Sequence, residues 1–286
     1  MRRLAEFACA SAVLLGGVRP AAAQAPALKP YQVSPAASVS QDLGICSVRI
    51  DYHRPAVRGR AIWGALVPYG QVWRAGANEA TVLTLSHPAR IDGHDLAAGA
   101  YALFAIPGRE RWTLVFNREA RQWGAFNYHA DQDALRLDVT PVYAAYQEYL
   151  EYGIHVTGAD RLRVELAWEK LSVGFDLTMD VQGAYWAYLQ KTLAEAPADA
   201  WPMLNQAAGY CLLSDTHLDQ AMAWIDRSIT IKEGFRNLEL KARLLRRAGK
   251  KDEAVALLRR AVALAQGAPA NTLKELQAEL EDWRSE

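Results

Sequence analysis

The pattern of hydrophobic and polar residues divides this chain into two parts with different periods. Upstream of Asp180, apolar residues mostly alternate with polar ones, which is typical of half-buried β-strands. The clearest alternation is at 162–169, where Leu, Val, Leu and Trp are separated by Arg, Glu, Ala and Glu. Downstream of Asp180, apolar residues recur every three or four positions, which is typical of amphipathic helices. We therefore predict a β domain over residues 41–179 and a helical domain over residues 180–286.

Turn signals separate the predicted strands of the first part. Asp92-Gly93 is the strongest hairpin signal, and Pro107-Gly108 and Pro141 end two other apolar runs. The connections are too short for the crossovers that parallel strands need, so an antiparallel β-sandwich or an open barrel is expected. Four tyrosines at a spacing of three, between 143 and 152, are interpreted as a short helix or a loop that packs on the sheet. The predicted strands are 45–52, 81–86, 99–106, 111–117, 135–139, 162–169 and 173–179.

The second part is predicted to contain six helices, at 183–196, 200–213, 218–232, 235–247, 252–266 and 272–284. A loose internal repeat relates residues 205–225 to residues 238–258 at an offset of 33 residues. Small residues recur where paired helices would touch, so the segment resembles two degenerate tetratricopeptide repeats with flanking helices. A plain helical bundle is the alternative. Repeats of this kind present an extended surface, so a protein partner is expected for the helical domain.

The N-terminus has the pattern of an export signal. A basic start is followed by an apolar run and by Ala21-Ala22-Ala23, so a signal peptide over 1–23 is predicted, with cleavage after Ala23. Residues 24–40 are rich in Pro, Ala, Ser and Gln and are predicted to form a flexible leader. The protein is therefore expected to be exported, periplasmic or secreted, without a transmembrane segment after signal cleavage.

Composition narrows the classes of partner. Hydrophobic residues make up 51% and charged residues 22% of the 286 positions, as in ordinary globular proteins. Removal of residues 1–23 leaves 29 basic and 31 acidic residues, so no nucleic-acid partner is expected. Cys46 and Cys211 lie in different predicted domains, and two separate buried thiols are favoured over a disulfide between them.

The richest candidate chemistry lies in the long connection over residues 52–81. It contains too much Gly and Pro for a helix and too many aromatic residues for a solvated linker, so a packed functional loop is expected. A guanidinium holds a carboxylate or a pair of sugar hydroxyls in fixed geometry, and an amide supplies a donor and an acceptor. A second polar and aromatic loop lies at 124–131. The predicted ligand-binding residues are Arg60, Trp73, Arg74, Asn78, Glu79 and Tyr128, with Trp73 as the stacking surface.

Two alternatives to a binding site remain open for this loop. Arg74 could pair with Glu79 beneath the sheet, in which case the loop only closes the sheet and the helices act as an assembly scaffold. Alternatively, His53, Glu79 and His129 could converge to form a metal or general-base site of a hydrolase. No catalytic residue is assigned, because the chain lacks a nucleophile elbow, a phosphate loop and a dinucleotide fingerprint. No cofactor is predicted.

The run Pro68-Tyr69-Gly70-Gln71-Val72-Trp73-Arg74-Ala75-Gly76-Ala77-Asn78-Glu79-Ala80-Thr81 is too long and unusual to arise from composition. With the strands that follow it, this run resembles a family of exported bacterial proteins known as the domain of unknown function number 2911. The resemblance covers roughly residues 46–141. It implies a location in the cell envelope or outside the cell, but no activity and no assigned site. The interpretation we favour is a non-catalytic envelope protein that binds a polar, carbohydrate-like ligand, such as a cell-envelope glycan.

Overall fold

A computed structural model describes residues 31–285, which form two packed β-sheets followed by six α-helices. The predicted signal peptide and its cleavage site lie outside the described residues. The strands are β1 (Ala36–Leu43), β2 (Cys46–His53), β3 (Thr81–Leu85), β4 (Ala89–Ile91), β5 (His94–Leu96), β6 (Gly99–Ile106), β7 (Trp112–Asn117), β8 (Asp133–Val139), β9 (Val142–Val156) and β10 (Arg161–Met179).

The predicted antiparallel sandwich is confirmed. One sheet has the strand order β1-β2-β3-β6-β7-β8, the other has the order β5-β4-β10-β9, and neither closes into a barrel. Their inner faces share one hydrophobic core, in which the rings of Phe116 and Phe175 lie 5.3 Å apart and those of Tyr52 and Tyr152 lie 4.8 Å apart. The predicted hairpin at Asp92-Gly93 connects β4 to β5, and both of its residues have positive φ.

Two strand predictions were wrong for one physical reason. The runs 162–169 and 173–179 belong to the single strand β10, and its partner is β9, which the tyrosine spacing did not reveal. Buried positions in β10 are even-numbered up to Trp168 and odd-numbered from Val173. Two irregularities in the pairing with β9 flank Glu169, whose φ is +56°, and the change of parity occurs there. An irregularity of this kind changes which residues point to the core, from even-numbered to odd-numbered, although the strand continues. The sequence pattern of this one strand therefore resembles that of two strands.

The first strand also begins earlier than the pattern indicates. The leader was predicted to continue to residue 40, whereas β1 starts at Ala36 and pairs with β2 along its whole length. Only every second residue of β1 is partly buried, and those residues are mostly small or polar. This edge strand is therefore ordered by its backbone hydrogen bonds to β2, which composition does not show.

The helical part begins directly after β10. The carboxylate of Asp180 accepts a hydrogen bond of 2.8 Å from the backbone of Gly183 and caps the first helix. Successive pairs pack together, α2 on α3 and α4 on α5, and α6 closes the array. The likeness to tetratricopeptide repeats stays a prediction. The helices are α1 (Val181–Ala194), α2 (Trp201–Ser214), α3 (Leu218–Ile231), α4 (Phe235–Arg247), α5 (Lys251–Leu264) and α6 (Ala270–Ser285).

Two further observations concern cysteine and membranes. Cys46 and Cys211 are both buried and free, and burial is the main cause that raises the pKa of each thiol. Within residues 31–285, no helix has the length and hydrophobicity required to cross a membrane.

A buried amide sets the packing of the second helical pair on the first. Asn237 of α4 is fully buried, and its Nδ2 donates to the backbone oxygen of Lys232 at 2.8 Å and to Ser228 Oγ at 3.3 Å. The Ser228 hydroxyl in turn donates to the backbone oxygen of Trp201, at the start of α2. This chain of hydrogen bonds connects α2, α3 and α4 through the fully buried side chains of Ser228 and Asn237.

We predict that Asn237→Asp lowers the free energy of unfolding by about 3 kcal/mol, because an acceptor then faces two acceptors in a buried site. Urea titration followed by circular dichroism measures the change. The matched control is Asn127→Asp, since Asn127 is exposed and its substitution should change stability by less than about 0.5 kcal/mol. If the two variants are equally stable, the hydrogen bonds of Asn237 do not contribute to stability as proposed.

Candidate functional site

The candidate site is built around a loop between two segments that both pair with β6. Trp73 exchanges two backbone hydrogen bonds of 2.8 Å with Ala105, and Thr81 is the partner of Leu103. A step of two residues along β6, from Leu103 to Ala105, therefore corresponds to a step of eight residues from Trp73 to Thr81, and residues 75–80 leave the sheet. We call residues 75–80 the excursion. The backbone N–H of Thr81 donates to the backbone oxygen of Arg74 at 3.3 Å and closes its base.

The excursion holds a strained backbone. Ala75 has φ +49° and Asn78 has φ +56°, a conformation that residues with a side chain seldom adopt. The carbonyl oxygen of Ala75 accepts hydrogen bonds from Thr81 Oγ1 at 3.0 Å and from the Tyr152 hydroxyl at 2.9 Å, both from buried residues. A Cβ at Gly76 would lie 2.9 Å from Thr81 Oγ1, so glycine is required there. Several independent contacts therefore hold the strained conformation in place, as is common at functional sites.

Strand alternation places Trp73 and Arg74 on opposite faces of the six-stranded sheet. The Trp73 ring enters the sandwich, where it stacks on Trp168 at 5.9 Å and lies 5.9 Å from Trp63. Its Nε1 donates to the backbone oxygen of Gly76 at 3.1 Å. The neighbouring residues therefore point to the outer face. The structure does not support Trp73 as a ligand-stacking surface, because its ring packs inside the protein.

A second loop, residues 118–129 between β7 and β8, covers the outer face of the sheet. Its backbone is tied to the excursion by hydrogen bonds from Gly124 to the Asn78 oxygen at 3.1 Å and from Ala80 to the Gln122 oxygen at 3.0 Å. Gly124 has φ +64°, and a Cβ at this position would lie 2.7 Å from Nη1 of Arg74. The guanidinium of Arg74 thus rests directly against the backbone of this loop, at a position that only glycine leaves open.

The charge on Arg74 is partly desolvated and has no ion-pair partner among the described residues. Its side chain is partly buried, its Nε is buried without a hydrogen-bond partner, and it forms no ion pair with any residue that the structure describes. Burial lowers the pKa of the guanidinium below its ordinary value, with no carboxylate opposing the shift. A desolvated cation without a counter-charge is unfavourable. An anion that enters from outside would remove this penalty.

One exposed aromatic ring, that of Phe126, lies next to Arg74, and a second, that of Trp123, belongs to the residue before Gly124. Trp123 is 52% exposed and Phe126 is 81% exposed, which is unusual for large apolar side chains. The Phe126 ring would lie 3.0 Å from a Cβ at Gly124, the same point that Arg74 approaches, so the ring and the guanidinium border one point of the loop. Glu79, whose side chain is 49% exposed, forms a backbone bridge with Trp123. The surroundings of Arg74 thus include the Phe126 ring, while Glu79 and Trp123 belong to the backbone segments that border it.

The other predicted ligand-binding residues are used within the protein. Arg60 donates from Nε to the Val57 oxygen at 3.0 Å and from Nη2 to the Ala56 oxygen at 2.5 Å, so its head group caps its own loop. Asn78 Nδ2 donates to the Ser34 oxygen at 3.2 Å.

Tyr128 is also engaged internally. Its hydroxyl donates to Asp133 Oδ2 at 2.7 Å and accepts from Arg136 Nη2 at 2.6 Å, while its ring packs 5.2 Å from that of Phe104. Burial is the largest of the effects that raise the pKa of Tyr128, followed by Asp133. Tyr128 therefore anchors the second loop on the sheet rather than facing a ligand.

The predicted pairing of Arg74 with Glu79 does not form. Glu79 instead contacts His53, with His53 Nε2 3.4 Å from Glu79 Oε2. His129 does not join them: between residues 31 and 285, no group of three His, Cys, Asp or Glu side chains is arranged to hold a metal ion. The backbone oxygen of His129 accepts a hydrogen bond of 3.0 Å from Asn117. Two of the three residues of the proposed enzyme site therefore meet, and the third does not.

Trp123 was missed as a candidate by the sequence analysis, and Phe126 was noted only as part of an aromatic loop. The one signal was the glycine at 124 between two aromatic residues, since a glycine often marks a close approach of backbone to another group. Nothing in the sequence indicates that the approaching group is Arg74, because the two residues are brought together only by the pairing of two distant loops.

Comparison with known proteins gives one match. The sequence model of a family described as "Protein of unknown function (DUF2911)" matches residues 34–177, just over half of the chain. No curated protein and no solved structure matches the chain. The matched range contains both sheets, the excursion and the second loop.

We predict that Arg74→Met leaves the free energy of unfolding unchanged or raises it by about 1 kcal/mol, because it removes an unpaired, desolvated charge and keeps an apolar stem. The matched control is Arg60→Met, which removes hydrogen bonds to two carbonyl groups and should lower stability by about 1–2 kcal/mol. Urea titration of both variants measures the difference. If Arg74→Met destabilises as much as Arg60→Met, then Arg74 has a structural role instead.

Proposed function

We propose that this chain, which belongs to the DUF2911 family of proteins of unknown function, binds an anionic, carbohydrate-like ligand at Arg74. The binding is non-catalytic, and it takes place outside the cytoplasm, in the periplasm or after secretion. The N-terminal sequence pattern supports the location, and a cell-envelope glycan that carries carboxylate groups fits the site.

The observation that carries this proposal is the desolvated cation at Arg74. A guanidinium presents parallel N–H donors that match a carboxylate, and the match is strongest where water is excluded. The protein itself supplies no such carboxylate to Arg74 among its described residues, although Glu79 lies only five residues further along the chain. An ion pair between Arg74 and a carboxylate of the protein would have neutralised the charge that an anionic ligand needs. The unpaired state of Arg74 is what a site for an external anion requires.

The surroundings of Arg74 support a sugar ring as the body of the ligand. The apolar C–H face of a sugar packs on aromatic rings, and Trp123 and Phe126 offer two such rings to solvent. The exposed carboxylate of Glu79 accepts hydrogen bonds, so it can hold hydroxyl groups of the ligand. A uronic acid or a lactyl-bearing amino sugar combines these features: one carboxylate, several hydroxyls and one flat apolar face.

The alternative of a hydrolase that uses His53, Glu79 and His129 is less well supported. His53 and Glu79 are in contact, which is the one observation in its favour. An imidazole–carboxylate pair needs a third group, such as a nucleophile or a metal ligand, before it can catalyse hydrolysis. The residue proposed for that role, His129, is not grouped with them for metal binding in the described part of the chain.

We predict that the protein binds oligosaccharides containing uronic or muramic acid, and binds their carboxyl-reduced counterparts at least about tenfold more weakly. The loss is expected because the reduced sugars keep the flat face but lack the charge that Arg74 requires. Quenching of tryptophan fluorescence measures the affinity, since Trp123 is exposed and directly precedes Gly124, against which Arg74 packs.

The variants Arg74→Met and Arg60→Met separate the proposal from general adhesion. Arg74→Met should abolish the preference for the acidic sugar, whereas Arg60→Met should keep it. Equal binding of acidic and reduced sugars, or an unchanged preference in Arg74→Met, would contradict the proposal.

We further predict that Gly124→Ala weakens binding of the acidic sugar at least about tenfold, because the new methyl group would lie 2.7 Å from Arg74 Nη1 and displace the guanidinium. The matched control is Gly59→Ala. Gly59 has a similar φ of +67°, but a Cβ there would have no atom within 4 Å, so this variant introduces the same backbone strain without touching the site. If both variants bind equally, the contact with Arg74 is irrelevant to the ligand.

A further inference from the structure

A second candidate site lies in the helical part and is independent of Arg74. Helices α2, α4 and α6 line an open groove with a volume of about 650 Å³. Helices α3 and α5 pack against α2 and α4, respectively. The groove therefore belongs to the surface that the stacked helical pairs leave uncovered. Its size is within the range of small-ligand and side-chain sites.

Carboxylates outnumber cations in this groove. Arg243 is held between two of them: its guanidinium makes two hydrogen bonds of 2.9 Å to Glu279, and Nη2 lies 2.8 Å from Glu239 Oε1. One positive charge is thus shared by two negative ones. Burial is the main cause that raises the pKa of Glu239, and the neighbouring carboxylates of Glu279 and Glu275 add to the shift. The surplus of negative charge is therefore partly desolvated.

The two remaining charged residues of the groove form no close ion pair in the described part of the chain, although the charge of Arg236 opposes the rise in the pKa of Glu239. Glu275 of α6 is exposed and makes no ion pair with another described side chain. The guanidinium of Arg236 lies 5.7 Å from the centre of the Phe235 ring. It likewise makes no ion pair within the part of the chain that the structure describes. Three carboxylates and two guanidiniums give the groove a net negative charge, with the α6 side the more acidic.

The floor of the groove has room for an aliphatic chain. Gly209 of α2 lacks a side chain, and a Cβ at this position would meet only Leu240 of α4, at 3.7 Å. Next to it, Asn205 Oδ1 is buried without a hydrogen-bond partner in the described residues. This region of the groove offers space over Gly209, an apolar wall at Leu240 and an unsatisfied acceptor at Asn205. These features suit a long aliphatic side chain that ends in a cation.

We propose that this groove binds an extended segment of a partner protein and places a lysine or arginine side chain of that segment beside Glu275 and Glu239. The aliphatic stem of the side chain lies over Gly209 and Leu240. Its ammonium or guanidinium offsets the surplus of carboxylate, while the Arg236 end of the groove disfavours a second basic residue. Charge complementarity thus selects the partner, which is a basic peptide segment and not an acidic one.

Octapeptide pools test the proposal without knowledge of the partner. Each pool has Lys, Arg, Gln or Glu fixed at one central position and random neutral residues elsewhere. The pools pass over the immobilised full-length protein, and the retained peptides are quantified by mass spectrometry. The Lys and Arg pools should be retained at least about fivefold better than the Gln pool, and the Glu pool less than the Gln pool.

Four variants assign the retention to the groove. Gly209→Met should fill the floor and remove the preference for basic pools, whereas Gly209→Ala should keep it, because a single methyl group makes only an ordinary contact. Glu275→Gln should weaken the preference and Arg236→Gln should strengthen it. Neither Glu275 nor Arg236 makes an ion pair with another described residue, so neither substitution should unfold the protein.

The proposal is overturned if no basic pool is enriched, or if Glu275→Gln and Arg236→Gln leave the enrichment unchanged. The result is independent of the sugar site: Arg74→Met should retain the basic pools as well as the original protein does.

Discussion

The packing of Trp73 in the sandwich core decides where Arg74 stands. The indole ring stacks on Trp168, and its N–H donates to the backbone oxygen of Gly76. The backbone N–H and C=O groups of Trp73 both form hydrogen bonds with Ala105. With Trp73 fixed inward, strand alternation turns the next residue to the outer face of the sheet. The direction of the Arg74 side chain is therefore determined by the packing of Trp73 in the core and not by hydrogen bonds of Arg74. An aromatic anchor next to an arginine is a simple way to fix a charged group without neutralising it.

Arg74 and the excursion that follows it bring together two unfavourable features, a partly desolvated charge at Arg74 and a left-handed alanine at Ala75. Each of them costs on the order of 1–3 kcal/mol in isolation. The compensating contacts all act on the backbone: two buried hydroxyls on the Ala75 carbonyl, the closing bond from Thr81 to Arg74, and the bonds to the second loop. None of them reaches the guanidinium. These contacts thus stabilise the loop and leave the charge without a partner among the described residues, as the proposed binding of an anion requires.

Much of the fold was predictable from the sequence, because alternation and helical periodicity record which residues are buried. Five of the seven predicted strands and all six helices correspond to single observed elements within a few residues. The irregular pairing at Glu169 and the edge strand β1 were not predictable, because neither depends on the hydrophobic pattern. At the candidate site, the sequence indicated the loop and Arg74, but not the approach of Gly124 and Phe126 to Arg74, because the pairing of two distant loops determines that contact. The residue types of Arg60 and Tyr128 also did not reveal that their polar groups bond to nearby parts of the chain.

The central claim is that the Arg74 guanidinium is charged, unpaired and reachable by an external carboxylate. Its most direct test is the side-chain NMR spectrum of protein labelled with ¹⁵N-arginine, in which the Nε resonance that disappears in Arg74→Met identifies this residue. The account predicts that this resonance shifts saturably when glucuronate is added, while the resonance that disappears in Arg60→Met does not move. An Arg74 signal that stays in place up to saturating glucuronate would contradict the account.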